Sequence, residues 1–260
     1  MKEYDRILEA ERLERLHKGG QLVIETDFRW GDARELLHTI PPESIDLIIW
    51  DPPYGIAELE AESNENRSGK IKEADNLSPK EAINLFMEIT ELLVAVMKPG
   101  AHFYIFFSFH NYYDLVTNLR LAGLEVSDVP IIWDKQASTT VFKGYNFMSA
   151  YEPILFGYKP PRTKRLAEPC KNIIQCKGVP KKEKLHAFEK PLDLLTRFIK
   201  QSSNLGDIVF DPTAGSAAVL AAALQVGRNP VGFELDKEHY VRGLSRLQDE
   251  KEFLEEQTNA

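Results

Sequence analysis

Cysteine is scarce in this chain of 260 residues, which contains only Cys170 and Cys176. Two cysteines are too few for a disulfide-stabilised scaffold, and their spacing relative to His186 does not match a usual zinc site. The sequence therefore predicts free thiols and no metal centre. Long apolar runs are also missing, and the charged segment from Met1 to Gly20 lacks the apolar core of a signal peptide. We therefore expect a cytoplasmic protein without a membrane partner.

Charge is unevenly distributed along the chain. The net charge is −8, yet nine basic residues lie between Lys159 and Lys184, where only two acidic residues oppose them. A concentrated basic segment on an acidic body suits contact with phosphate groups, although a solvated charged loop is an alternative. The length and the hydrophobic share of 43% indicate one domain over residues 1–260, with 159–185 as a short basic insertion.

Short apolar segments alternate with amphipathic segments along most of the chain. This alternation predicts an α/β fold, with a mostly parallel sheet covered by helices on both faces. The predicted strands are Leu22–Thr26, Ile45–Trp50, His102–Phe107, Val129–Trp133, Pro153–Gly157, Ile208–Asp211 and Val231–Glu234. The predicted helices are 3–18, Ala33–Thr39, Ser78–Met97, Tyr112–Ala122, Pro191–Gln201, a segment ending at Val226 and a segment beginning at Lys237. The polar segment Ile56–Leu77 is expected to be a long surface loop and a candidate lid.

The most informative segment joins the apolar strand Ile45–Trp50 to the loop Asp51-Pro52-Pro53-Tyr54-Gly55. This loop follows the carboxyl end of the strand, which is the edge where open α/β sheets bind their ligands. Its residues suit a planar nucleobase, since the Asp51 carboxylate and a proline carbonyl can accept hydrogen bonds from an exocyclic amine while Tyr54 stacks on the ring. An ordinary Asp-Pro turn is the alternative interpretation.

The chemistry of an aromatic amine explains why such a loop would be catalytic. The amine is a poor nucleophile because its lone pair is delocalised into the ring. Two acceptors on its two protons favour a tetrahedral nitrogen and localise that pair. Prolines suit the acceptor set because they have no N–H to compete and their φ is fixed.

A second segment, Gly206–Ser216, has a strand that ends in Asp211 and a turn of small residues before a helix. Small residues let a ligand approach the backbone, and the start of the helix presents unpaired N–H groups. Glu234 ends the next predicted strand, at a spacing typical of an acid that holds a ribose diol. The G-x-G-x-x-G pattern is missing and Asp211 would repel a phosphate. An adenosine ligand with a positive charge therefore fits better than a dinucleotide, with a purely structural strand–turn–helix as the alternative.

Together these segments resemble the amino-methyltransferases of DNA. Asp51-Pro52-Pro53-Tyr54 matches their catalytic DPPY motif, and Asp211–Ser216 is similar to their D-P-F-x-G-S donor loop. The catalytic motif precedes the donor loop, as in the circularly permuted β-class of the family. Four shorter patterns over residues 22–241 also resemble the family: Gly31-Asp32 resembles G-D, Trp133–Lys135 resembles W-x-K, Tyr151–Leu155 resembles H-E-x-I-L and His186–Pro191 resembles H-x-x-x-K-P.

The resemblance implies a class I, Rossmann-like methyltransferase fold that is circularly permuted and has a mostly parallel, seven-stranded sheet. It implies S-adenosylmethionine as the methyl donor and the N6 amine of a flipped-out adenine in DNA as the target. The implied catalytic residues are Asp51, Pro52, Pro53 and Tyr54. The implied donor-binding residues are Asp32, Ala33, His186, Lys190, Asp211, Thr213, Gly215, Ser216 and Glu234. The residues expected to contact DNA phosphates are Lys159, Arg162, Lys164, Arg165, Lys181 and Lys182.

The chain departs from the family pattern in three places. Ala217-Ala218 replace a Gly-Thr pair after the donor loop, where an added methyl group is expected to crowd the donor. Thr213 replaces a Phe, which removes an apolar wall. The recognition segment, 159–184, is short, so few side chains are available to read base edges.

Several alternatives for the function stay open. The N4 amine of cytosine has the same geometry, although Asp rather than Ser at position 51 favours adenine. Related permuted enzymes act on adenosine in RNA, and Ala217 is consistent with a catalytically silent relative that only binds nucleic acid. A nicotinamide oxidoreductase is disfavoured because the triple-glycine turn is missing. The resemblance associates the chain with restriction–modification without indicating a partner nuclease, and the charged terminal helices suit either a monomer or a homodimer.

Overall fold

The computed structural model describes residues 17–18, 21–22, 24–55, 77–137, 145, 147–179 and 189–259. Most of the predicted helix 3–18, nearly all of the loop Ile56–Leu77, and the residues Lys181, Lys182 and His186 lie outside these ranges. The end of that predicted helix is wrong, because strand β1 (His17–Lys18) pairs antiparallel with strand β2 (Gln21–Leu22).

A larger sheet contains the other described strands. They are β3 (Asp27–Trp30), β4 (Ile45–Trp50), β5 (Met97–Phe106), β6 (Glu125–Val126), β7 (Ile131–Asp134), β8 (Tyr151–Tyr158), β9 (Ile173–Gln175), β10 (Ile208–Asp211) and β11 (Asn229–Glu234). The described helices are α1 (Ala33–Leu36), α2 (Pro79–Val96), α3 (Tyr112–Leu121), α4 (Leu192–Ser202), α5 (Ala218–Gln225) and α6 (Lys237–Asn259).

The strand order is β3-β11-β10-β4-β5-β8-β7-β9, and β6 pairs with β8. The five strands from β3 to β5 are parallel, whereas β8 is antiparallel to β5, β6 and β7. This arrangement confirms the predicted α/β fold with a mostly parallel sheet. Six of the seven predicted strands overlap β4, β5, β7, β8, β10 and β11, and β3 lies just after the seventh. The additional strands β6 and β9 have two and three residues, too few for an apolar period to show in the sequence.

Two hydrophobic cores lie on opposite faces of the sheet. Ile48 and Trp50 of β4 face helices α1, α2 and α3, while Leu47 and Ile49 face α4, α5 and α6. All six residues of β4 are buried, as expected for a central parallel strand whose alternate side chains enter different cores. The Trp50 indole stacks on Phe86 of α2 with ring centroids 4.7 Å apart. The central strand is thereby anchored just before the Asp51 loop.

The predicted strand Leu22–Thr26 is wrong in position. Leu22 belongs to β2, and the sheet strand is β3, Asp27–Trp30. Among the described strands, β3 is at the end of the order and pairs with β11 alone, and two of its four residues, Asp27 and Arg29, form an ion pair. Such an edge strand has a weaker apolar signal than the preceding Leu-Val-Ile run, which explains the error.

The amino ends of β4 and β10 are joined by buried charge. Both carboxylate oxygens of Asp46 lie 2.8 Å from Lys98 Nζ, and one accepts from the Ile208 backbone N–H at 3.0 Å. Burial, followed by the charge of Asp207, raises the pKa of Asp46. Lys164 Nζ lies 3.7 Å from Asp207 and donates to the Asp46 carbonyl at 3.3 Å. Lys164 therefore balances charge at the edge opposite the Asp51 loop.

We predict that Gly157→Ala destabilises the fold. A Cβ at Gly157 would meet the Glu125 carbonyl oxygen at 2.1 Å and the Phe103 ring at 2.3 Å, so strands β5, β6 and β8 would have to shift. The expected loss is about 2–3 kcal/mol of unfolding free energy, measured by urea titration. Gly178→Ala is the matched control, because a Cβ at Gly178 meets nothing within 4 Å. Equal midpoints for the two variants would contradict the packing described.

Candidate active site and donor-binding turn

Two loops meet because their strands are neighbours. β4 and β10 pair in parallel with Leu47 opposite Val209 and Ile48 opposite Phe210. Their carboxyl ends therefore share one edge of the sheet, which brings the Asp51 loop beside the turn that follows Asp211. The sequence separates these segments by about 160 residues, and only the strand order brings them together.

Thr213 connects the two loops directly. Its hydroxyl accepts a hydrogen bond from Trp50 Nε1 at 3.0 Å and donates to the Asp51 carbonyl at 3.3 Å. The Trp50 indole is fully buried, so its N–H needs such an acceptor. The replacement of the family's Phe by Thr213, which the sequence suggested would remove a wall, thus provides a polar bridge between the Asp51 loop and the turn after β10.

Asp51, Pro52, Pro53 and Tyr54 lie together on the loop after β4. Asn111 donates to the Tyr54 carbonyl at 2.8 Å, which holds the end of the loop. Gly55 follows with φ 64°, and a Cβ there would lie 2.8 Å from Ser78 and Pro79 backbone atoms and the Ala82 side chain. Only glycine lets the loop turn this close to the start of α2.

The charged groups around Asp51 form a compact cluster. Lys190 Nζ lies 2.8 Å from Asp51 Oδ2 and 2.7 Å from Glu152 Oε1, and Lys135 Nζ lies 2.8 Å from Glu152 Oε2. The Tyr54 hydroxyl lies 2.8 Å from both Asp51 Oδ1 and Glu152 Oε1. Asp51 keeps 26% side-chain exposure, against 12% for Glu152 and 8% for Lys190. Asp51 is therefore the most accessible of these three charged groups.

Burial and these contacts together shift the pKa values of Asp51 and Glu152 in opposite directions. Burial opposes the ionisation of Glu152, but the charges of Lys190 and Lys135 outweigh it and lower the pKa of Glu152 to about 2. Burial dominates at Asp51 and raises the pKa of that group, with Lys190 opposing and Glu152 adding to the rise. Asp51 is thus the more basic acceptor of the pair.

The turn after β10 is held by Glu234. Glu234 Oε2 accepts from the Gly215 N–H at 2.7 Å, and Oε1 accepts from the Asp236 N–H at 2.7 Å. The Gly31 N–H donates to the Glu234 carbonyl at 2.9 Å, which brings the Gly31-Asp32 loop to the same strand end. Three predicted donor-binding residues, Asp32, Gly215 and Glu234, therefore lie close to one another at the carboxyl ends of β3, β10 and β11.

Asp32 and Ala33 begin helix α1. The Asp32 side chain accepts from the Arg34 N–H at 2.8 Å and forms an ion pair with the Arg34 guanidinium at 2.6 Å. Hydrogen bonding to Arg34 lowers the pKa of Asp32, so this carboxylate is ionised. Ala33 is buried against the core.

Ala217 does not crowd the turn. It has φ 60°, a left-handed conformation that glycine adopts more easily, and it is fully buried. Its methyl group faces helix α6, where a Cβ at Gly243 would lie only 3.1 Å away. The loop has Ala217 where the family has glycine, and Gly243 in the facing helix leaves room for the Ala217 methyl group. A Cβ at Gly215, by contrast, would meet nothing within 4 Å, so the approach to that turn is open.

The remaining predicted donor residues have other neighbours. Lys190 lies with Asp51 and Glu152, although its charge also opposes the rise in the pKa of Asp211 that burial causes. The hydroxyl and carbonyl of Ser216 accept from Arg246 of α6 at 3.4 Å and 3.1 Å. Lys190 is therefore placed between the catalytic loop and the turn, while Ser216 faces the helix layer.

The residues predicted to contact DNA that the structure describes are Lys159, Arg162, Lys164 and Arg165. They lie at the edge of the sheet opposite the Asp51 loop. Lys159 donates to the Val94 and Met97 carbonyls at 2.9 Å, and Lys164 pairs with Asp207. Arg162 lies over the Tyr158 ring at 5.3 Å, and Arg165 is exposed. The two edges are about 20 Å apart, because the six residues of β4 rise by about 3.3 Å each. The segment returns to the active-site edge along β9, which runs parallel to β7, so the exposed Lys177 lies on that side.

Sequence reasoning assigned no site role to three side chains that the structure places at the site. Glu152 and Lys135 belong to patterns that resemble the family, so those patterns were the available signal. Asn111, which holds the Tyr54 carbonyl, lies in a 3₁₀ turn whose sequence has no comparable pattern.

A cationic adenosine ligand fits the chemistry of this edge. Asp32, Asp51, Asp211 and Glu234 gather there, and the burial of Asp211 raises its pKa well above the usual value, which favours its neutral form. A cationic ligand beside these acids would favour their ionised forms, whereas a phosphate would not, so the edge suits a ligand with positive charge. A Rossmann-like sheet with this turn beside an acid–diproline–aromatic loop defines a methyltransferase.

Comparison with known proteins identifies the family. A sequence model described as DNA methylase matches residues 45–243, and the chain belongs to this family. It is an S-adenosylmethionine-dependent DNA methyltransferase of the N6/N4 type, as the sequence motifs predicted. The DNA adenine methyltransferase YhdJ of Escherichia coli (strain K12) is 30% identical over 254 residues, covering 84% of this chain and 81% of its own. The Type II methyltransferase M.HinfI of Haemophilus influenzae is 28% identical over 244 residues, covering 85% and 68%.

Solved structures share the fold. M1.HpyAVI in complex with SAM has a TM-score of 0.63 at 22% identity, covering 85% of this chain and 100% of its own. The cytosine-N4-specific PvuII DNA methyltransferase has a TM-score of 0.66 at 19% identity, covering 85% and 86%. The expected Rossmann-like methyltransferase fold is thereby confirmed.

Within the described ranges, no helix combines the length and the apolar character needed to cross a bilayer. No group of His, Cys, Asp and Glu side chains in the same ranges could hold a metal ion.

We predict that Glu234→Gln weakens S-adenosylmethionine binding by about 10-fold, or about 1.4 kcal/mol. The amide can replace only one of the two carboxylate acceptors that hold the Gly215 and Asp236 N–H groups, so the turn loosens. Isothermal titration measures the affinity, and Asp249→Asn, an exposed change on α6, is the control. Unchanged affinity in Glu234→Gln would contradict the role of Glu234 in the turn.

Proposed function

We propose that this chain transfers a methyl group from S-adenosylmethionine to the exocyclic N6 amine of an adenine flipped out of duplex DNA. The observation that carries the proposal is the position of Asp51, an accessible carboxylate with a raised pKa. It lies on the loop after β4, the strand that pairs with β10, whose carboxyl end leads into the proposed donor-binding turn. A base in a duplex is stacked and paired, so it must be extruded to reach this recessed edge.

The Asp51 loop supplies acceptors in the arrangement the reaction needs. Asp51 Oδ1 and the Pro52 carbonyl would accept from the two amine protons, and the ring of Tyr54 would stack on the base. The donor, when bound, would supply a methyl group as an electrophile, with its sulfur keeping the electron pair of the broken S–CH3 bond, and the methylated nitrogen would release one of its protons to Asp51. The acceptors contribute by holding the nitrogen lone pair towards the methyl group, so that the rate depends on orientation and on charge complementarity.

The donor is proposed to lie against Asp32, Ala33, Asp211, Thr213, Gly215 and Glu234. Thr213 would link its position to that of the target, since the same side chain bonds to the Asp51 backbone. Lys190 would limit repulsion between Asp51 and Asp211.

The choice of adenine rests on the residue at position 51 and on the name of one relative, YhdJ, which is called a DNA adenine methyltransferase. The N4 amine of cytosine is the second candidate, because the cytosine-N4-specific PvuII enzyme shares the fold. Nucleoside analysis after methylation discriminates between N6-methyladenine and N4-methylcytosine. Competition between DNA and RNA substrates tests the RNA alternative.

We predict that Asp51→Ala abolishes methyl transfer, with a loss of about 10³-fold or more, because the amine loses its principal acceptor. Incorporation of tritiated methyl groups into unmethylated duplex DNA measures this rate. Asp51→Asn keeps the shape but replaces one acceptor oxygen with a donor, and it should be nearly as inactive. S-adenosylmethionine binding by calorimetry should be retained in both variants, which separates catalysis from folding. Full activity in Asp51→Ala would remove Asp51 from the mechanism.

DNA contact is proposed for the part of the basic segment that returns to the active-site edge. We predict that Lys177→Gln weakens DNA binding and makes the dependence of log K on log salt concentration less steep, because the negative slope loses about 1 in magnitude. Arg165→Gln removes the same charge at the opposite edge and should leave both quantities unchanged. Fluorescence anisotropy at several salt concentrations measures the pair. A larger effect from Arg165→Gln would place the DNA on the other edge.

A further inference from the structure

Glu152 has no part in the chemistry proposed above, yet its two carboxylate oxygens contact three polar groups beside Asp51. Its Oε1 receives both Lys190 Nζ, at 2.7 Å, and the Tyr54 hydroxyl, at 2.8 Å. Its Oε2 receives Lys135 Nζ at 2.8 Å. Lys190 and Tyr54 also contact the two oxygens of Asp51, so the four groups close a ring.

The Tyr54 hydroxyl cannot donate a hydrogen bond to both carboxylates of this ring at once. A phenol has one hydroxyl proton and can donate to one acceptor at a time. When Tyr54 donates to Glu152, Asp51 Oδ1 has no donor from that hydroxyl. An amine proton of a target base can then take that position without breaking the contacts of Tyr54 and Lys190 to Glu152.

We propose that Glu152 is a positioning residue for methyl transfer: it holds Tyr54 and Lys190, so that Asp51 is left to accept from the target amine. This inference rests on the proposed function, since it assigns Asp51 as the acceptor. Glu152 itself touches neither the base nor the donor in this scheme.

Charge supports the same division of roles. Lys135 and Lys190 both pair with Glu152, so this carboxylate stays ionised and takes up much of the lysine charge. If the Glu152 charge were removed, Lys190 would act mainly on Asp51 and lower its pKa, which makes Asp51 a weaker acceptor. The described charged or titratable groups that face Asp51 are Tyr54, Glu152, Lys190 and Asp211.

Glu152→Gln tests the proposal because it keeps the shape and removes the charge. The single-turnover rate of methyl transfer should fall by about 10- to 100-fold, as expected when a reacting group is misplaced. The acid limb of the pH–rate profile, which reports ionisation of Asp51, should move to lower pH by about one pH unit. The sign follows because the active form is the carboxylate, and a lower pKa keeps it ionised in more acidic solution. S-adenosylmethionine affinity should stay within about twofold.

Two further variants separate charge from structure. Glu152→Asp keeps the charge, so its acid limb should stay at the wild-type pH even if the rate falls. Glu125→Gln, an exposed change on β6, should leave rate and profile unchanged. A wild-type rate in Glu152→Gln overturns the proposal. A slow Glu152→Gln with an unmoved acid limb also overturns it, because that result shows a merely structural role.

A measurement without DNA keeps the inference distinct from the proposed function. The ¹³C-carboxyl resonance of Asp51, assigned with Asp51→Asn, can be titrated in the wild type and in Glu152→Gln. We expect its midpoint to fall by about one pH unit in the variant. An unmoved midpoint overturns the role of Glu152 even if the chain methylates DNA. A wild-type chain that yields no N6-methyladenine, with the midpoint moved as expected, contradicts the adenine target alone.

Discussion

The parallel pairing of β4 with β10 is the constraint on which the site depends. Leu47 opposite Val209 sets a register in which the loop after Trp50 is level with the turn after Asp211, and Thr213 then joins them through the Trp50 indole and the Asp51 carbonyl. Because β4 is buried on both faces, its register cannot slip without moving its side chains into the wrong core. The spacing between the Asp51 loop and the turn after Asp211 is thus a property of the sheet.

Charged side chains are distributed differently at the two edges of the sheet. The amino edge holds its buried acids, Asp46 and Asp207, with the lysines Lys98 and Lys164, so that edge is balanced within the fold. The carboxyl edge gathers more acids than bases, which suits a cationic donor. Within that edge burial raises the pKa of Asp51 against the opposing charge of Lys190, while Lys190 and Lys135 together keep Glu152 firmly ionised. The acids of the amino edge are therefore paired with lysines within the fold, whereas the carboxyl edge has acids in excess that can interact with a cationic ligand.

The central strands and both motifs were predictable from sequence because each combines a buried apolar run with an acid and turn residues. β4, β10 and β11 were located within two residues on this basis. Short or edge strands were not, since β3 carries charges and β9 has three residues. Local patterns also could not show that Glu152 joins Lys190 and Tyr54, because that contact depends on how β8 packs. The basic segment was predicted from composition alone, which does not reveal that it spans two edges of the sheet.

The position of the target amine is tested most directly by a crystal structure with a bisubstrate analogue, in which the adenine N6 is covalently linked to the donor. Such a ligand needs no knowledge of the recognition sequence. The arrangement described predicts that N6 lies about 3 Å from Asp51 Oδ1, that the base rests on Tyr54 and that the Tyr54 hydroxyl remains on Glu152. An adenine bound away from the Asp51 loop, or a Tyr54 hydroxyl still between Asp51 and the base, would contradict it.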